Sequence, residues 1–462
     1  MEENINKSLI VSMAEWITQR GSTWPPKVVQ RVEHALGDTI ACMIAGSVDA
    51  VAIKARTAAE AWGVGDAKVV GSSIYLSAPG AALVNGTAAH VLEIDDNYYP
   101  ALTHASAVIV PALLALADEI EASGEKIIDA YIVGLELHAL LGRGVNRSHY
   151  FTGWHPTATI GCIGTAGACA RLLGLNLSQT IAAMSIATSM AAGNKAQFGT
   201  EVKSLQCGFG ASNAVKAARL AEAGIEGNPN VLEDPQGFLH LYGGPDPRGW
   251  SEPLKKLDNP LAMQEFGLAP KRHACCGSAH NTLDSILEIK SQHEFDSEDI
   301  QSIDILVGAS NKKNLRYDDP KDEFKARFSM NYNVALILLQ GKVCLADFTS
   351  EAITRPKVKE LMKLVHMESR SFQDEPNDPD ERPPHLVKIT LKNGVIYERS
   401  RVYAKGLIQE PFNDVERRQK IEGCCQGIMS EADISSLIEL LRGVSWIGNI
   451  RTLTDMLSFG SK

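Results

Sequence analysis

The sequence predicts a mainly α protein, in which a large all-α part is interrupted by a smaller α+β insertion. Three observations carry this. Residues 1–266 read mostly as helical periodicity, the texture shifts near residue 266 to short runs of β-branched residues, and from Pro411 onward helical spacing returns. At 462 residues the chain exceeds what one hydrophobic core usually holds. The expected division is 1–266, 267–410 and 411–462, with the last stretch completing the first.

Along the first part, Lys27 to Ser47 places Val28, Val29, Val32, Ala35, Leu36, Ile40 and Met43 at helical spacing, and Pro25 and Pro26 punctuate its start. Similar periodicity runs through Ala107–Ala122, Glu125–Leu141, Ile160–Leu173, Leu177–Met190 and Asn213–Ala223. Several of these are crowded with small residues, as in GCIGTAGACARLLG, which predicts closely approaching helices. In the insertion, Ile300 to Val307 has the composition and length of a strand. His385–Leu391 and Val395–Val402 flank Asn393-Gly394, a hairpin signal that predicts a type I′ turn. The Asp/Pro-rich stretch Gln373–Pro384 reads as a surface loop. After it, Asn413 or Asp414 is the expected N-cap of a helix over Val415–Ile421.

Composition narrows the function classes. Apolar residues make up 45% and charged residues 22%, as in an ordinary globular protein. A net charge of −10 disfavours nucleic-acid binding, which leans on a basic surface. The most apolar window, Ala101 to Leu116, is interrupted by His104 and Pro111 and falls short of the ~20 residues that cross a bilayer. MEENINKSLI lacks the features of a secretory signal, and the nine scattered cysteines are no disulfide framework. A cytoplasmic protein, with no membrane and no nucleic-acid partner, is the expectation.

Four segments concentrate reactive side chains. Glycine-rich GCIGTAG (161–167) follows nothing strand-like, so helix packing is expected rather than a phosphate loop. No HExxH, CxxC or paired Cys/His spacing predicts a metal, and vicinal Cys424-Cys425 reads as ordinary packing. His90-Val-Leu-Glu93-Ile-Asp95-Asp96-Asn97 sets three acids after an apolar helix-like run, followed by Thr103-His104. It fits a surface turn or an active-site edge equally well. In Gly153-Trp154-His155-Pro156 the imidazole precedes a helix start, whose dipole favours its neutral form; capping and general-base roles both stay open. Lys203 stands ahead of Gly208 and Gly210 near a helix start, where a carboxylate can be held. Lys271-Arg272-His273-Ala-Cys275-Cys276-Gly-Ser278-Ala-His280 would usually be a solvated run. Its position at the expected domain junction tilts the reading toward a small-molecule site.

These segments together, AALVNGTAAHVLEIDD, GWHPTATIGCIG, GTEVKSLQCGFGASNAVKAA, NVLEDPQGF, the Lys-x-x-x-Cys-Cys-x-x-x-His run and RFSMNYNVALILLQGKV, resemble the MmgE/PrpD family across nearly the whole chain. The family includes 2-methylcitrate dehydratases, cis-aconitate decarboxylases and an iminodisuccinate epimerase. The resemblance implies an all-α domain built from both chain ends, an α+β lid domain between, a homodimer, and catalysis without a metal or other cofactor. Carried over by motif, the site falls on Glu93, Asn97, His104, His155, Lys203, Lys271, Cys276 and Tyr332, with Ser278 and His280 in the same run. The family's decarboxylases carry Asp, Thr and His where this chain has Glu93, Asn97 and Cys276. Loss of that His argues against cis-aconitate decarboxylation, whereas Cys-Cys and GWHPT are similar to the epimerase.

The chemistry so implied is removal of a proton next to a carboxylate, on a small di- or tricarboxylic acid. Lys203, Lys271, His104 and His155 would stabilise the resulting anion. His155 is the first choice of base, with Tyr332 or Lys203 behind it, and His104 would protonate a leaving group. For epimerisation, Cys276 could return the proton if Lys271 depresses its pKa. Glu93 would orient a lysine or imidazole. The leading expectation is a dehydratase-like lyase. The alternatives are an epimerase and a non-catalytic relative that binds a polycarboxylate.

Overall fold

A computed structural model describes residues 7–374 and 381–459. It is mainly α. The helix expected from Lys27 runs Pro26–Ser47 with proline at its first helical position. Later helices span Ala78–Val91, Ser106–Ile120, Gly124–Phe151, Pro156–Leu173, Leu177–Met190 and Glu201–Glu222. The last begins twelve residues before the helical spacing read from the sequence, because QCGFGA offers little apolar periodicity. Packing, not propensity, makes it helical. Gly208 lies against Gly86 of the Ala78–Val91 helix so closely that a Cβ on Gly86 would stand 3.0 Å from the Gly208 Cα.

That contact matters because Ala78–Val91 delivers His90 at its end and Glu201–Glu222 delivers Lys203 at its start. A methyl group at Gly208 would run into the Leu83 carbonyl and the Thr87 hydroxyl. Gly208→Ala is therefore expected to cost about 1–3 kcal/mol despite alanine's better helix propensity. Urea unfolding would show the loss, and an unchanged or higher midpoint would refute the account.

The insertion holds a four-stranded sheet in the order 365–369, 300–307, 385–391, 396–401. Ile300–Val307 pairs in parallel with Val365–Ser369 and antiparallel with His385–Leu391. The latter alternates between buried and less buried positions. The outer strand, Ile396–Arg401, is largely exposed, with Arg399 and Arg401 tied to Glu288. Such charges guard a sheet edge. The hairpin is present, but its turn differs from the expected one. Only Gly394 has positive φ (87°), and its N–H bonds the Leu391 carbonyl at 2.9 Å. The three-residue loop is a turn followed by a left-handed glycine, because Asn393 stays in the ordinary region.

Two large apolar clusters, with a small third at Ala269, Ala404 and Leu407, form the interior. One joins residues between Leu9 and Met263 with Cys425, Ile434, Leu437, Leu441 and Leu457 from the chain's end. The other gathers residues 274–391 with Ala41, Cys42, Ala45, Ile94 and Cys424. The helix Asp414–Cys425 starts on a reciprocal cap between Asn413 and Glu416. Its Lys420 reaches Asp38 at 2.6 Å. Among the described residues, no single helix is long and apolar enough to cross a membrane. Residues 1–6 of the segment read for a secretory signal and residues 375–380 of the Asp/Pro-rich loop lie outside the described residues.

Candidate active site

The site is built where the Ala78–Val91 helix stops. Glu93 has φ of 55°, a left-handed conformation that costs a non-glycine residue about 1–2 kcal/mol. The turn brings Glu93 and Asp95 back toward His90. Asp95 accepts from His90 Nδ1 at 2.8 Å and lies 3.2 Å from His104 Nδ1. His104 also donates Nδ1–H to the Asp96 carbonyl at 2.9 Å, and its own N–H is held by Thr157. Lys203 donates to Glu93 and, at 2.6 Å, to His90 Nε2. Lys271 lies 3.3 Å from Glu93 and 3.4 Å from Asp95. Two ammonium groups thus balance two buried carboxylates, as burial of charge demands.

His155 caps the Pro156–Leu173 helix and is fully enclosed. Its Nδ1 donates to Gln206 Oε1 at 2.5 Å, and the Gln206 amide is itself fixed on the Asn194 carbonyl. Its Nε2 is buried with no hydrogen-bond partner. The three imidazoles of His90, His104 and His155 sit with ring centroids 4.3–6.4 Å apart.

A cavity of about 200 Å³ opens on this cluster, lined by Glu93, Asn97, His104, His155, Lys203 and Cys276. Ser278 also lines it, its hydroxyl accepting from Asn314 at 3.1 Å. The sequence therefore located the reactive side of the wall but not the rest of it. It missed Tyr150, Phe198 and Phe328, apolar or neutral positions with no distinguishing pattern, and Arg382, which stacks on Tyr99. It also gave no role to His90 and Asp95, the pair behind Lys203, although both stood in the acidic segment it singled out.

Three expectations are corrected. Tyr332 is buried in the second cluster and donates to the Asp347 carbonyl, so it is not a base for this cavity. His280 is turned to the Cys275 carbonyl at 3.2 Å and packs on His273. Lys271 lies behind Glu93 and does not line the cavity, so it acts through that carboxylate rather than on a ligand.

The electrostatics follow from enclosure. Burial, then Lys203, drives the His155 imidazole well below its ordinary value, so the ring is neutral. The expected direction holds, but burial rather than the helix dipole is its main cause. Burial likewise pushes His104 down to about 4 against the pull of Asp95. A neutral ring with Nδ1–H committed to Asp96 offers a lone pair at Nε2, so His104 is an acceptor and not the acid expected of it. Burial alone would raise Glu93, but the Lys203 and Lys271 ammonium groups outweigh it and hold the carboxylate ionised. For Cys276 burial and then Glu93 raise the thiol, and Lys271 does not reverse this. The thiolate expected for epimerisation is disfavoured.

Enclosed neutral imidazoles beside one fixed ammonium define a site for proton transfer on an anion. The MmgE/PrpD N-terminal domain model matches residues 11–250 and the C-terminal domain model residues 273–442. The chain belongs to the MmgE/PrpD family and is a lyase of that family. It is 28% identical to cis-aconitate decarboxylase of Mus musculus over 82% of this chain and 78% of that one. Identity to the Homo sapiens cis-aconitate decarboxylase is 27%, over 93% and 90%. A mitochondrial 2-methylcitrate dehydratase of Yarrowia lipolytica is 27% identical over 50% of this chain and 46% of its own.

Proposed function

We propose that the protein eliminates water from a small tricarboxylic acid, in the manner of a 2-methylcitrate dehydratase, after removing a proton next to a carboxylate. The observation that carries this is the orphaned Nε2 of His155, a buried lone pair at the cavity wall next to Lys203. A base is what elimination needs first. Decarboxylation instead begins with loss of carbon dioxide and then needs an acid, whereas the imidazoles here are neutral acceptors.

In the proposed reaction His155 Nε2 takes the proton from carbon. Charge that develops on the adjoining carboxylate is met by the Lys203 ammonium, in an enclosed site where such an interaction is strong. The imidazolium formed at His155 then gives its proton to the departing hydroxyl, so water leaves, the double bond forms and the ring returns to neutral. Glu93, with Lys271 behind it, fixes the Lys203 ammonium. The decarboxylase and dehydratase relatives support a tricarboxylic acid as substrate.

Proton NMR in D2O with 2-methylcitrate, citrate and cis-aconitate tests the reading. Elimination predicts a new vinyl signal from citrate and, from 2-methylcitrate, either a vinyl signal or, where the methine proton is the one lost, collapse of the methyl doublet to a singlet, with deuterium entering next to a carboxylate that is lost in His155→Gln. Loss of carbon dioxide from cis-aconitate without prior exchange would replace elimination by decarboxylation. Exchange giving a second diastereomer would mean epimerisation. Unchanged spectra with every acid, even though calorimetry shows binding, would make the protein a binder.

A further inference from the structure

Nothing in the spacing of the twelve histidines predicts a metal, yet three of them meet. One ring nitrogen each from His90, His104 and His155 can be chosen so that all lie within 4.8 Å of one another. They arrive from a helix end, a loop and a helix cap, so the convergence belongs to the tertiary fold. Every ring is pinned at Nδ1 by an acceptor: the Asp95 carboxylate, the Asp96 carbonyl and the Gln206 amide oxygen. A carbonyl can only accept, so Nδ1 carries the proton and Nε2 the lone pair. Metal-binding imidazoles are oriented in this way, by a carboxylate or carbonyl at the opposite nitrogen.

Two further observations concern the lone pairs themselves. His155 Nε2 is enclosed without a partner. His90 Nε2 is already occupied by a cation, the Lys203 ammonium at 2.6 Å.

We propose that the Nε2 atoms of His90, His104 and His155 form a site for one borderline divalent transition-metal ion, of the Zn²⁺ or Co²⁺ class, with the Lys203 ammonium as its built-in competitor. On binding, the ammonium leaves His90 and stays with Glu93, to which it is already paired. Zinc–imidazole bonds of about 2.0–2.1 Å require the rings to close on the ion. His104, whose side chain is 15% exposed, is the least enclosed of the three. A fourth position faces the cavity and takes water or a carboxylate oxygen. Imidazole donors select zinc, cobalt, nickel or copper over magnesium and calcium. An ion held here occupies the His155 lone pair, so the metal-loaded form neither exchanges nor eliminates.

The site is tested on the full chain, stripped with a chelator and then freed of it, by following visible absorption during Co²⁺ titration and heat during Zn²⁺ titration. Expected are one ion per chain with the intensity of tetrahedral Co²⁺, and no binding of Mg²⁺ or Ca²⁺. His155→Gln and His104→Gln should each weaken binding at least tenfold, and Lys203→Met should tighten it about tenfold by removing the competitor. Turnover plays no part in these readouts, so they stand whatever acid the protein accepts. Absence of the Co²⁺ spectrum at millimolar metal overturns the proposal. So does binding that survives both histidine variants unchanged, which would place the ion elsewhere. Circular dichroism establishes that each variant folds, and Gln206→Ala, which leaves all three ligands in place, provides a further variant expected to weaken binding.

Discussion

Lys203→Met is expected to lower turnover about a thousandfold while changing KM by less than about tenfold. The side chain meets charge that develops on the reacting carboxylate, and interactions made mainly in the transition state are lost from kcat. Methionine keeps the apolar stem among Phe198 and Phe328, whose ring centroids lie 5.0 and 5.4 Å from the lysine Nζ. Glu93 retains Lys271 at 3.3 Å, so the buried carboxylate is not left alone. The fold should therefore survive, as a thermal melt would show. Lys203→Arg should not restore activity, because the planar guanidinium does not fit between Glu93 and His90 as a compact ammonium does. A kcat within tenfold of wild type, or a purely KM effect, would remove Lys203 from the chemistry.

The second large effect is on stability in mild acid. Burial lowers His138 and His280 to about 3, and His149 and His385 to about 4, as it does His104. In the unfolded chain each titrates near 6.5. Between pH 6.5 and about 4 the unfolded chain therefore binds protons at these rings that the folded chain refuses, and stability falls as pH falls. Asp96 and Glu136 work in the opposite sense. Burial raises them to about 7 and about 8, so the folded chain takes up their protons before the unfolded one does. Burial also lowers His34 to about 4 and His155 well below its ordinary value, so the rings displaced this far outnumber Asp96 and Glu136 and the balance is destabilising. Each group contributes at most about 1.4 kcal/mol per pH unit within its window. The melting temperature is expected to fall steeply from pH 6.5 to 5 and to change little, or decline gently, from 7 to 8. A flat profile down to pH 5 would mean that these rings are not enclosed in solution.

What the sequence disclosed and what it withheld divide along a physical line. Helices with a regular apolar face were legible, and Leu177–Met190 matches to the residue. The Glu201–Glu222 helix was read only in its second half, because small residues carry no periodic signal and are helical for reasons found in a neighbouring helix. The cavity wall was legible wherever charged or titratable residues clustered, as at Glu93, Asn97 and Cys276. Tyr332 stood in a matching motif, yet burial among apolar side chains gave its hydroxyl another partner, and motif position says nothing of which way a ring points. The three imidazoles were each visible but not their convergence. His90 and His104 are 14 residues apart and His155 lies 51 further on, and only the packed helices make them neighbours.

The last stretch of chain supplies Cys425, Ile434, Leu437 and Leu457 to the same apolar cluster as Leu9 and Ile10. During synthesis the Pro26–Ser47 helix, on which the final helices pack, therefore emerges with one face uncovered. About 380 further residues, from Ser47 to Cys425, must be made before that face is closed, which takes roughly 20–80 seconds at about 5–20 residues per second. The nascent chain spends that interval as a client for whatever shields apolar surface at the ribosome. A stop codon early in the final helices would leave it there permanently.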